Sequence, residues 1–309
     1  MKVLLTGGAG FLGSHISNIL IENKHHVIVL DDLSTGSLSN IQHLQSNPNF
    51  NFVEQDVRKP YKSDVDLILN FACPASPIAY QQDPVRTIET NFLGIINSLH
   101  LALETGAILI QASTSEIYGD PKESPQIEEY WGNVNPIGIR SCYDEGKRAA
   151  ETLCFDYKRQ YGLDTRVLRI FNTYGPNMSQ YDGRVVSNFI VQALKNEPIT
   201  IYGQGKQSRS FCYVSDLMDG IYKLSTLAKP IQTPINLGNP NEFTVLELAK
   251  LVIEITESKS EIIYKKLPQD DPTQRRPDIS KAKELLGWEP KTQLREGIQK
   301  TANYFKSVI

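Results

Sequence analysis

Short apolar runs and longer segments of helical periodicity alternate along the first half of the chain. The apolar runs predict buried strands at residues 2–6, 26–30, 51–54, 65–71, 107–112 and 165–170. Between them, apolar residues three and four positions apart predict helices at residues 11–23, 84–104 and 143–161. Strands that alternate with helices form a parallel sheet covered by helices on both faces. This half of the chain is therefore predicted to be a doubly wound α/β domain.

The pattern loosens after Gly175, where loops rich in Tyr, Gly and Pro separate isolated helices. These helices are predicted at residues 185–195, 245–257 and 280–286. The change indicates a smaller, mixed α/β domain that packs on the first sheet. We predict a first domain at residues 1–172, joined by about 210–238, and a second domain at 173–209 and 239–309.

Composition and charge exclude several other classes of protein. The chain has 309 residues, a formal net charge of −3, 22% charged residues and 40% hydrophobic residues. It is too apolar to be disordered, and it carries no strong basic field for a nucleic acid. The sequence has no run of 18 apolar residues, the length that would indicate a membrane-spanning helix. We therefore expect a globular protein that binds neither nucleic acid nor membrane.

The cysteines and histidines show no metal-ligand spacing. The four cysteines are far apart and form no Cys-x-x-Cys pair, so we predict no metal site and reduced thiols. The N-terminus leads directly into a strand and shows no signal peptide. We expect a cytoplasmic protein, with an anchor outside this sequence as the open alternative.

A glycine-rich loop joins the first predicted strand to the first predicted helix. Gly7, Gly10 and Gly13 have the spacing GxxGxxG, which lets the backbone approach a pyrophosphate at a helix N-terminus. Asp31 ends the second strand, where a carboxylate accepts from a ribose 2′-hydroxyl and repels a 2′-phosphate. The alternative is a simple strand–helix turn. We predict an NAD site formed by Gly7, Gly10, Phe11, Leu12, Gly13, Asp31 and Asp56, the last as an adenine contact or a surface acid.

A Tyr-x-x-x-Lys pair on a helix places the lysine one turn from the tyrosine, where the cation can lower the pKa of the phenol. The pattern occurs three times. The pairs at Tyr118 and Tyr202 span glycines and a proline that prevent a helix. Only Tyr143 and Lys147 lead into a sustained helix, so we predict that they are the catalytic pair. An ordinary helix N-terminus is the alternative.

Polar residues follow the fifth predicted strand. The run Ser113-Thr114-Ser115-Glu116 lies at the carboxyl edge of the sheet, where doubly wound sheets bind their ligands. A hydroxyl group there could hydrogen-bond a sugar oxygen beside Tyr143. A capping or turn cluster is the commoner meaning of Ser and Thr in isolation.

The motifs GGAGFLG, STSEIYGD and YDEGK resemble the extended short-chain dehydrogenase/reductase superfamily, whose members act on nucleotide sugars. Within it, NFACPASP, WGNVNPIGIRSCYDEGKR, FNTYGP, RSFCYVSDL and RRPDISKAKELLGWEP resemble the UDP-glucuronate decarboxylases. The resemblance runs from Lys2 to Phe305 and implies a Rossmann-like fold with a C-terminal substrate domain. One departure is Asn177, where the family usually has arginine.

The resemblance implies oxidation of C4 of UDP-glucuronate by bound NAD, loss of carbon dioxide from the resulting β-keto acid, and reduction to UDP-xylose. Tyr143 would exchange the C4 hydroxyl proton. Lys147 would lower the pKa of Tyr143 and bind the nicotinamide ribose, and Thr114 would hydrogen-bond the same substrate oxygen. Glu116 would assist proton transfer at C5 or steer the carboxyl group.

The resemblance also implies a set of substrate contacts. Arg275 would engage the carboxylate end of the substrate, with Arg276 as the alternative. Ser115 replaces the aspartate that protonates the departing water in sugar 4,6-dehydratases. Arg184 and Arg209 are candidates for the diphosphate, with a surface ion pair as the alternative for either. Tyr202 would stack on uracil or be an apolar strand residue, and Ser115, Asn172 and Tyr80 are the remaining expected substrate contacts.

Two other functions stay open. A nucleotide-sugar 4-epimerase or 4,6-dehydratase would share the hydride step, and carbon dioxide release separates these from a decarboxylase. A non-catalytic NAD-sensing protein is the alternative from another class, and the presence of Thr114, Tyr143 and Lys147 argues against it. By analogy with relatives, the helices predicted at 84–104 and 143–161 would pair two chains into a homodimer.

Overall fold

The computed structural model describes residues 1–266 and 274–309. The strands in chain order are β1 (Lys2–Thr6), β2 (His26–Asp31), β3 (Phe50–Glu54), β4 (Leu67–Asn70), β5 (Ile108–Thr114), β6 (Thr165–Ile170), β7 (Thr173–Tyr174), β8 (Ile199–Tyr202), β9 (Ser208–Ser210), β10 (Cys212–Tyr213), β11 (Ile235–Leu237), β12 (Glu242–Thr244), β13 (Ile262–Lys265) and β14 (Gln274–Arg275). The helices are α1 (Phe11–Glu22), α2 (Pro77–Gln82), α3 (Pro84–Thr105), α4 (Ser141–Tyr161), α5 (Val185–Leu194), α6 (Val214–Thr226), α7 (Val245–Thr256), α8 (Ser280–Leu286) and α9 (Leu294–Val308).

Seven parallel strands form the central sheet in the order β11-β6-β5-β4-β1-β2-β3. The chain runs outward from β1 to β3, returns to β4 on the other side of β1, and then continues outward. The order therefore reverses between β1 and β4, where the carboxyl ends of the strands open a crevice for ligands. This topology confirms the predicted Rossmann-like, doubly wound fold.

Both faces of the central sheet are buried, because neighbouring residues on each strand point to opposite sides. On β1, Val3 and Leu5 pack into the core that α1 and α6 cover, whereas Leu4 packs into the core beneath α3 and α4. Apolar side chains on both faces explain the uninterrupted apolar runs in the sequence.

Smaller sheets and helices form the rest of the described chain. Strands β12, β9 and β14 make one sheet, β13 pairs with β8, and β10 pairs with β7. Helices α5, α7 and α9 pack against one another beside these strands. Segment 210–238 contributes β11 to the central sheet and α6 to the layer over α1, and the predicted domain boundaries stay a prediction.

Three helices were not predicted from the sequence. Helices α6 and α9 begin at residues whose side chains make no capping hydrogen bond, so the usual start signal is missing. Helix α2 has a Ser76 cap but extends over only 6 residues, too few for a periodic pattern. Across the two described ranges, no helix has the length and apolarity that a membrane crossing requires.

Candidate active site

A cavity of about 1070 Å³ extends along the carboxyl edge of the central sheet. The loops that follow β1, β2, β4, β5 and β6 form one wall, and residues from the smaller sheets close the other side. The predicted site residues that line it are Gly7, Gly10, Phe11, Leu12, Gly13, Asp31, Tyr80, Thr114, Ser115, Glu116, Tyr143, Lys147, Asn172, Arg184, Tyr202, Arg209 and Arg275. The fold thus brings both ends of the chain to one cavity.

The glycine loop is closely packed at the N-terminus of α1. Gly7 has a φ of +74°, and a Cβ atom on Gly13 would lie 2.1 Å from the Gly7 carbonyl oxygen. Gly10 is the N-cap of α1 and provides no capping side chain. The first backbone N–H groups of α1 are therefore available to an anion. This cradle fits the pyrophosphate of a dinucleotide.

Asp31 lies beside the glycine loop. Its carboxylate accepts from the backbone N–H of Ala9 at 2.9 Å and of Leu33 at 2.8 Å, and burial raises its pKa. Neighbouring Asp32 forms an ion pair of 2.7 Å with Arg86. Asp31 is thus held by two backbone hydrogen bonds at the wall of the cavity.

Asp56 is separated from the other predicted cofactor residues. Its carboxylate forms a 2.7 Å ion pair with Arg58, which lowers its pKa. Gln55 and Val57, on either side of it, line the cavity, and Asp56 does not. The structure therefore places the two neighbours of Asp56, rather than Asp56 itself, against the cavity.

Tyr143 and Lys147 lie one turn apart near the start of α4. The Tyr143 ring stacks on the Tyr80 ring, with 5.1 Å between centroids and 4° between planes. Burial raises the pKa of Tyr143, and hydrogen bonding from Thr114 opposes this rise. The Lys147 Nζ atom lies 5.9 Å from the Tyr143 ring centroid and donates to the Ala112 carbonyl oxygen at 2.9 Å. Tyr143, Thr114 and Lys147 thus converge from α4 and β5.

Glu116 lies between two arginines. Its Oε2 atom is 2.5 Å from Arg140 Nη2 and 3.2 Å from Arg275 Nη2. Burial alone would raise the pKa of Glu116, but the charges of Arg275 and Arg140 lower it to about 2. Glu116 is therefore ionised throughout the physiological range, and it cannot donate a proton there.

Arg275 and Arg276 have different environments. Arg275 is only 1% exposed, lines the cavity and donates to the Ser115 carbonyl oxygen at 2.7 Å. Arg276 donates to the Pro240 carbonyl oxygen and lies 3.7 Å from Glu242. Of the two arginines, only Arg275 lines the cavity.

The residues predicted to contact the diphosphate and the base also line the cavity. Arg184 pairs with Asp182 at 2.5 Å and lies 5.8 Å over the Phe11 ring, so it joins the glycine loop to the start of α5. Arg209 on β9 faces the same cavity, and Tyr202 at the end of β8 is half-exposed. Both arginines therefore line the cavity, and Arg184 lies beside the glycine loop.

The two rejected Tyr-x-x-x-Lys pairs lie outside regular helices. Tyr118 is in a short 3-10 helix, is fully buried, and donates to Asn236 at 2.8 Å. Tyr202 ends β8. Asn177, the departure from the family pattern, has a φ of +66° and donates from Nδ2 to Ser14 Oγ at 3.0 Å. It ties the loop after β7 to the start of α1.

Arg140 and Asp144 are site residues that sequence reasoning missed. Arg140 is the N-cap of α4, lines the cavity and lies 5.9 Å over the Tyr80 ring. Asp144 follows Tyr143 on α4 and is only 6% exposed. The sequence signal that could have indicated them is their closeness to Tyr143, since Arg140 lies three residues before it and Asp144 one residue after it. Within residues 1–266 and 274–309, no cluster of three or more His, Cys, Asp or Glu side chains could hold a metal ion.

Comparison with known proteins decides the family. The sequence profile of the GDP-mannose 4,6 dehydratase family matches residues 4–301. UDP-glucuronic acid decarboxylase 3 of Arabidopsis thaliana is 55% identical over 299 residues, covering 96% of this chain and 87% of that protein. The chain belongs to the UDP-glucuronic acid decarboxylase family. UDP-glucuronic acid decarboxylase 1 of Xenopus tropicalis is 50% identical over 308 residues, covering 100% of this chain and 73% of that protein.

Solved structures of family relatives share the whole fold. UDP-glucose 4-epimerase of Thermotoga maritima, solved with UDP-glucose, has a TM-score of 0.88 and 33% identity and covers 100% of this chain and 99% of its own. UDP-glucuronic acid 4-epimerase of Bacillus cereus, solved with UDP-glucuronic acid and NAD, has a TM-score of 0.89 and 28% identity, with 100% of both chains covered. These neighbours include NAD-bound enzymes that act on UDP-sugars.

Proposed function

We propose that this protein converts UDP-glucuronate to UDP-xylose and carbon dioxide, through a 4-keto sugar nucleotide, without net oxidation or reduction. The observation that carries this function is the near full-length identity of 50% to 56% with UDP-glucuronic acid decarboxylases. The cavity supports it, because it brings a Tyr–Lys pair and an arginine-bound carboxylate together. No observation favours a 4-epimerase or a 4,6-dehydratase.

We propose NAD as the cofactor. The glycine cradle, which a Cβ atom on Gly13 would fill, fits a pyrophosphate, and the carboxylate of Asp31 fits a free ribose 2′-hydroxyl. Gly7, Gly10, Phe11, Leu12 and Gly13 would hold the pyrophosphate, and Lys147 the second ribose. When bound, NAD supplies the hydride acceptor and donor for C4 of the sugar.

Tyr143 would exchange the proton of the C4 hydroxyl group. As burial raises its pKa, the phenol is protonated at neutral pH until a nearby positive charge stabilises its phenolate. Lys147 supplies such a charge, and the Thr114 hydroxyl holds the same substrate oxygen. The ketone at C4 then lies β to the C6 carboxylate, so the electrons released with carbon dioxide are delocalised onto the ketone oxygen. C5 then takes a proton from water before the ketone is reduced.

Glu116 would steer the C6 carboxyl group rather than protonate C5. Its pKa of about 2 leaves no proton to donate, and its single negative charge is paired with the two positive charges of Arg140 and Arg275. These arginines would attract the substrate carboxylate, beside the free Tyr80 hydroxyl, which is buried and without a hydrogen-bond partner among the described residues. Ser115 and Asn172 line the same cavity.

Gly10→Ala should weaken NAD binding while the fold stays intact. Gly10 has a φ of −78°, which alanine adopts freely, and the nearest atom to its added Cβ would be 3.3 Å away. A methyl group there keeps the backbone from the pyrophosphate, so we expect roughly tenfold or weaker NAD affinity. Titration with NAD and thermal melting of the NAD-free protein measure the two effects.

Gly13→Ala is the contrasting variant for the glycine loop. The clash of its Cβ with the Gly7 carbonyl oxygen at 2.1 Å should lower the melting temperature of the NAD-free protein as well. Unchanged NAD affinity in Gly10→Ala would contradict the assignment of this loop to the pyrophosphate.

We also propose a homodimer that forms through α3 and α4. Val85, Ile88 and Phe92 are exposed apolar residues at helical spacing on α3, so Phe92→Asp should convert dimers to monomers in sedimentation velocity. Tyr264→Asp, at another exposed aromatic on β13, is the matched control. A Phe92→Asp protein that sediments like wild type would refute this interface.

We propose a reducing, cytoplasmic compartment for this protein. Cys73, Cys142, Cys154 and Cys212 are all free thiols, which is typical of proteins in reducing compartments. The proposed binding partners are the UDP-sugar substrate and a second copy of the chain.

Carbon dioxide release tests the proposed function. Wild-type protein is incubated with UDP-glucuronate labelled with ¹³C at C6, and labelled carbon dioxide is measured beside the nucleotide products. We expect one carbon dioxide for each UDP-xylose. Conversion to a C4 epimer that retains the labelled carbon would instead establish the epimerase function.

A further inference from the structure

Asp144 is a buried carboxyl group that the proposed mechanism does not use. It lies in the first turns of α4, immediately after Tyr143, and is 6% exposed. Its Oδ1 atom is fully buried and has no hydrogen-bond partner in the described part of the chain. A buried carboxylate with an unpartnered oxygen is costly, whereas the neutral acid is much less so.

Asp144 belongs to the same charged cluster as Glu116. The groups that act on it are Glu116 and Glu145, which disfavour its charge, and Arg140 and Arg275, which favour it. Glu116 holds the direct contacts with both arginines. Burial, together with the repulsion from Glu116, raises the pKa of Asp144 to about 7.

Tyr80, Cys142 and Glu116 each keep one charge state at neutral pH. Tyr80 and Cys142 also interact with Asp144, and burial raises the pKa of each, so both remain protonated. Glu116 remains ionised, as its pKa of about 2 shows. Asp144 is therefore the group of this set whose charge changes near pH 7.

The charge on Asp144 sets the net charge of the cluster. With Asp144 neutral, Arg140 and Arg275 exceed Glu116 by one positive charge, and with Asp144 ionised the four groups sum to zero. A substrate that brings its own carboxylate is attracted in the first state only. This step rests on the proposed function, which places the C6 carboxylate of UDP-glucuronate beside these arginines.

We infer that Asp144 is a positioning residue that selects for a carboxylate-bearing substrate by remaining uncharged, so that the arginines around Glu116 keep an unbalanced positive charge. Asp144 does not line the cavity, so it acts through Arg140 and Arg275 rather than by touching the sugar. Above pH 7, the protein should then take up a proton when it binds UDP-glucuronate. Binding of UDP-glucose, which lacks the carboxylate, should cause no proton uptake.

Calorimetry of the Tyr143→Phe holoenzyme, which binds substrate without turnover, tests this inference. At pH 8, binding of UDP-glucuronate should be accompanied by uptake of close to one proton by the protein. The affinity for UDP-glucuronate should fall by up to about tenfold per pH unit above pH 7. UDP-glucose should show neither effect. Equal proton uptake with both ligands, or none with UDP-glucuronate, would overturn the inference.

Asp144→Asn in the same background mimics the neutral acid and tests the residue itself. For UDP-glucuronate, we expect the double variant to have an affinity near that of the single Tyr143→Phe variant at pH 6. Binding should cause no proton uptake, and the affinity should not fall up to pH 8.5. Glu145→Gln, next to it on α4 and partly exposed, is the matched control and should keep the proton uptake. If Asp144→Asn retains the full proton uptake, another group is responsible. The carbon dioxide assay on wild-type protein tests the proposed function separately.

Discussion

Tyr143→Phe should lower the rate of UDP-xylose formation by about 10³-fold, the range expected for loss of a positioned acid–base group. The phenol oxygen is the atom that Thr114 contacts, and phenylalanine keeps the ring stacked on Tyr80. The substitution thus removes the proton carrier with little change in packing. Steady-state turnover of UDP-glucuronate measures the effect, with NAD content and melting temperature expected to stay near wild type.

Tyr161→Phe is the matched control for Tyr143→Phe. Tyr161 lies on the same helix, α4, but is 54% exposed. Its turnover should equal that of the wild type. If Tyr143→Phe retained more than about a tenth of wild-type turnover, acid–base catalysis by Tyr143 would be excluded, since that loss is below the range for such groups.

Glu151→Ala should destabilise the protein by about 3–5 kcal/mol, because it leaves a buried arginine without its partner. Glu151 on α4 receives two hydrogen bonds from Arg169 on β6, at 3.0 and 2.7 Å, and a third from Ser113 on β5 at 2.5 Å. This network fixes α4 against the strand that carries Thr114. Urea unfolding at neutral pH measures the loss in the free energy of unfolding.

Glu296→Ala provides the comparison for that loss. Glu296 pairs with Lys300 one turn along α9, and both side chains are about half exposed. Such exposed pairs contribute far less to stability than a buried pair whose loss leaves an unpaired charge. A Glu151→Ala protein no less stable than Glu296→Ala would show that the buried pair does not hold α4 on the sheet.

The position of the Tyr143–Lys147 pair on a helix could be predicted, because local context alone separated it from two other Tyr-x-x-x-Lys pairs. The residues between Tyr118 and Lys122, and between Tyr202 and Lys206, include glycine or proline, which breaks a helix. Tyr143 is followed by a long helical segment, and the structure has α4 there. Periodicity, likewise, predicted six of the seven strands of the central sheet within one or two residues at each end, since both faces are buried, but it did not predict the short strand β11.

The arginine cluster could not be predicted, because it forms only in the folded chain. Arg275 reaches Glu116 from 159 positions away along the sequence, and no local pattern marks that contact. Arg140 and Asp144 flank Tyr143 in sequence, but their burial and charge depend on Glu116 and Arg275. The lack of a side-chain cap similarly concealed α6 and α9.

The fate of the hydrogen at C4 tests the central claim most directly. UDP-glucuronate carrying deuterium at C4 is incubated with wild-type protein, and the product is analysed by NMR and mass spectrometry. An internal oxidation and reduction at C4 predicts UDP-xylose that has lost C6 as carbon dioxide and retains deuterium at C4. UDP-xylose with hydrogen from added cofactor or solvent at C4, or a six-carbon product, would contradict the account.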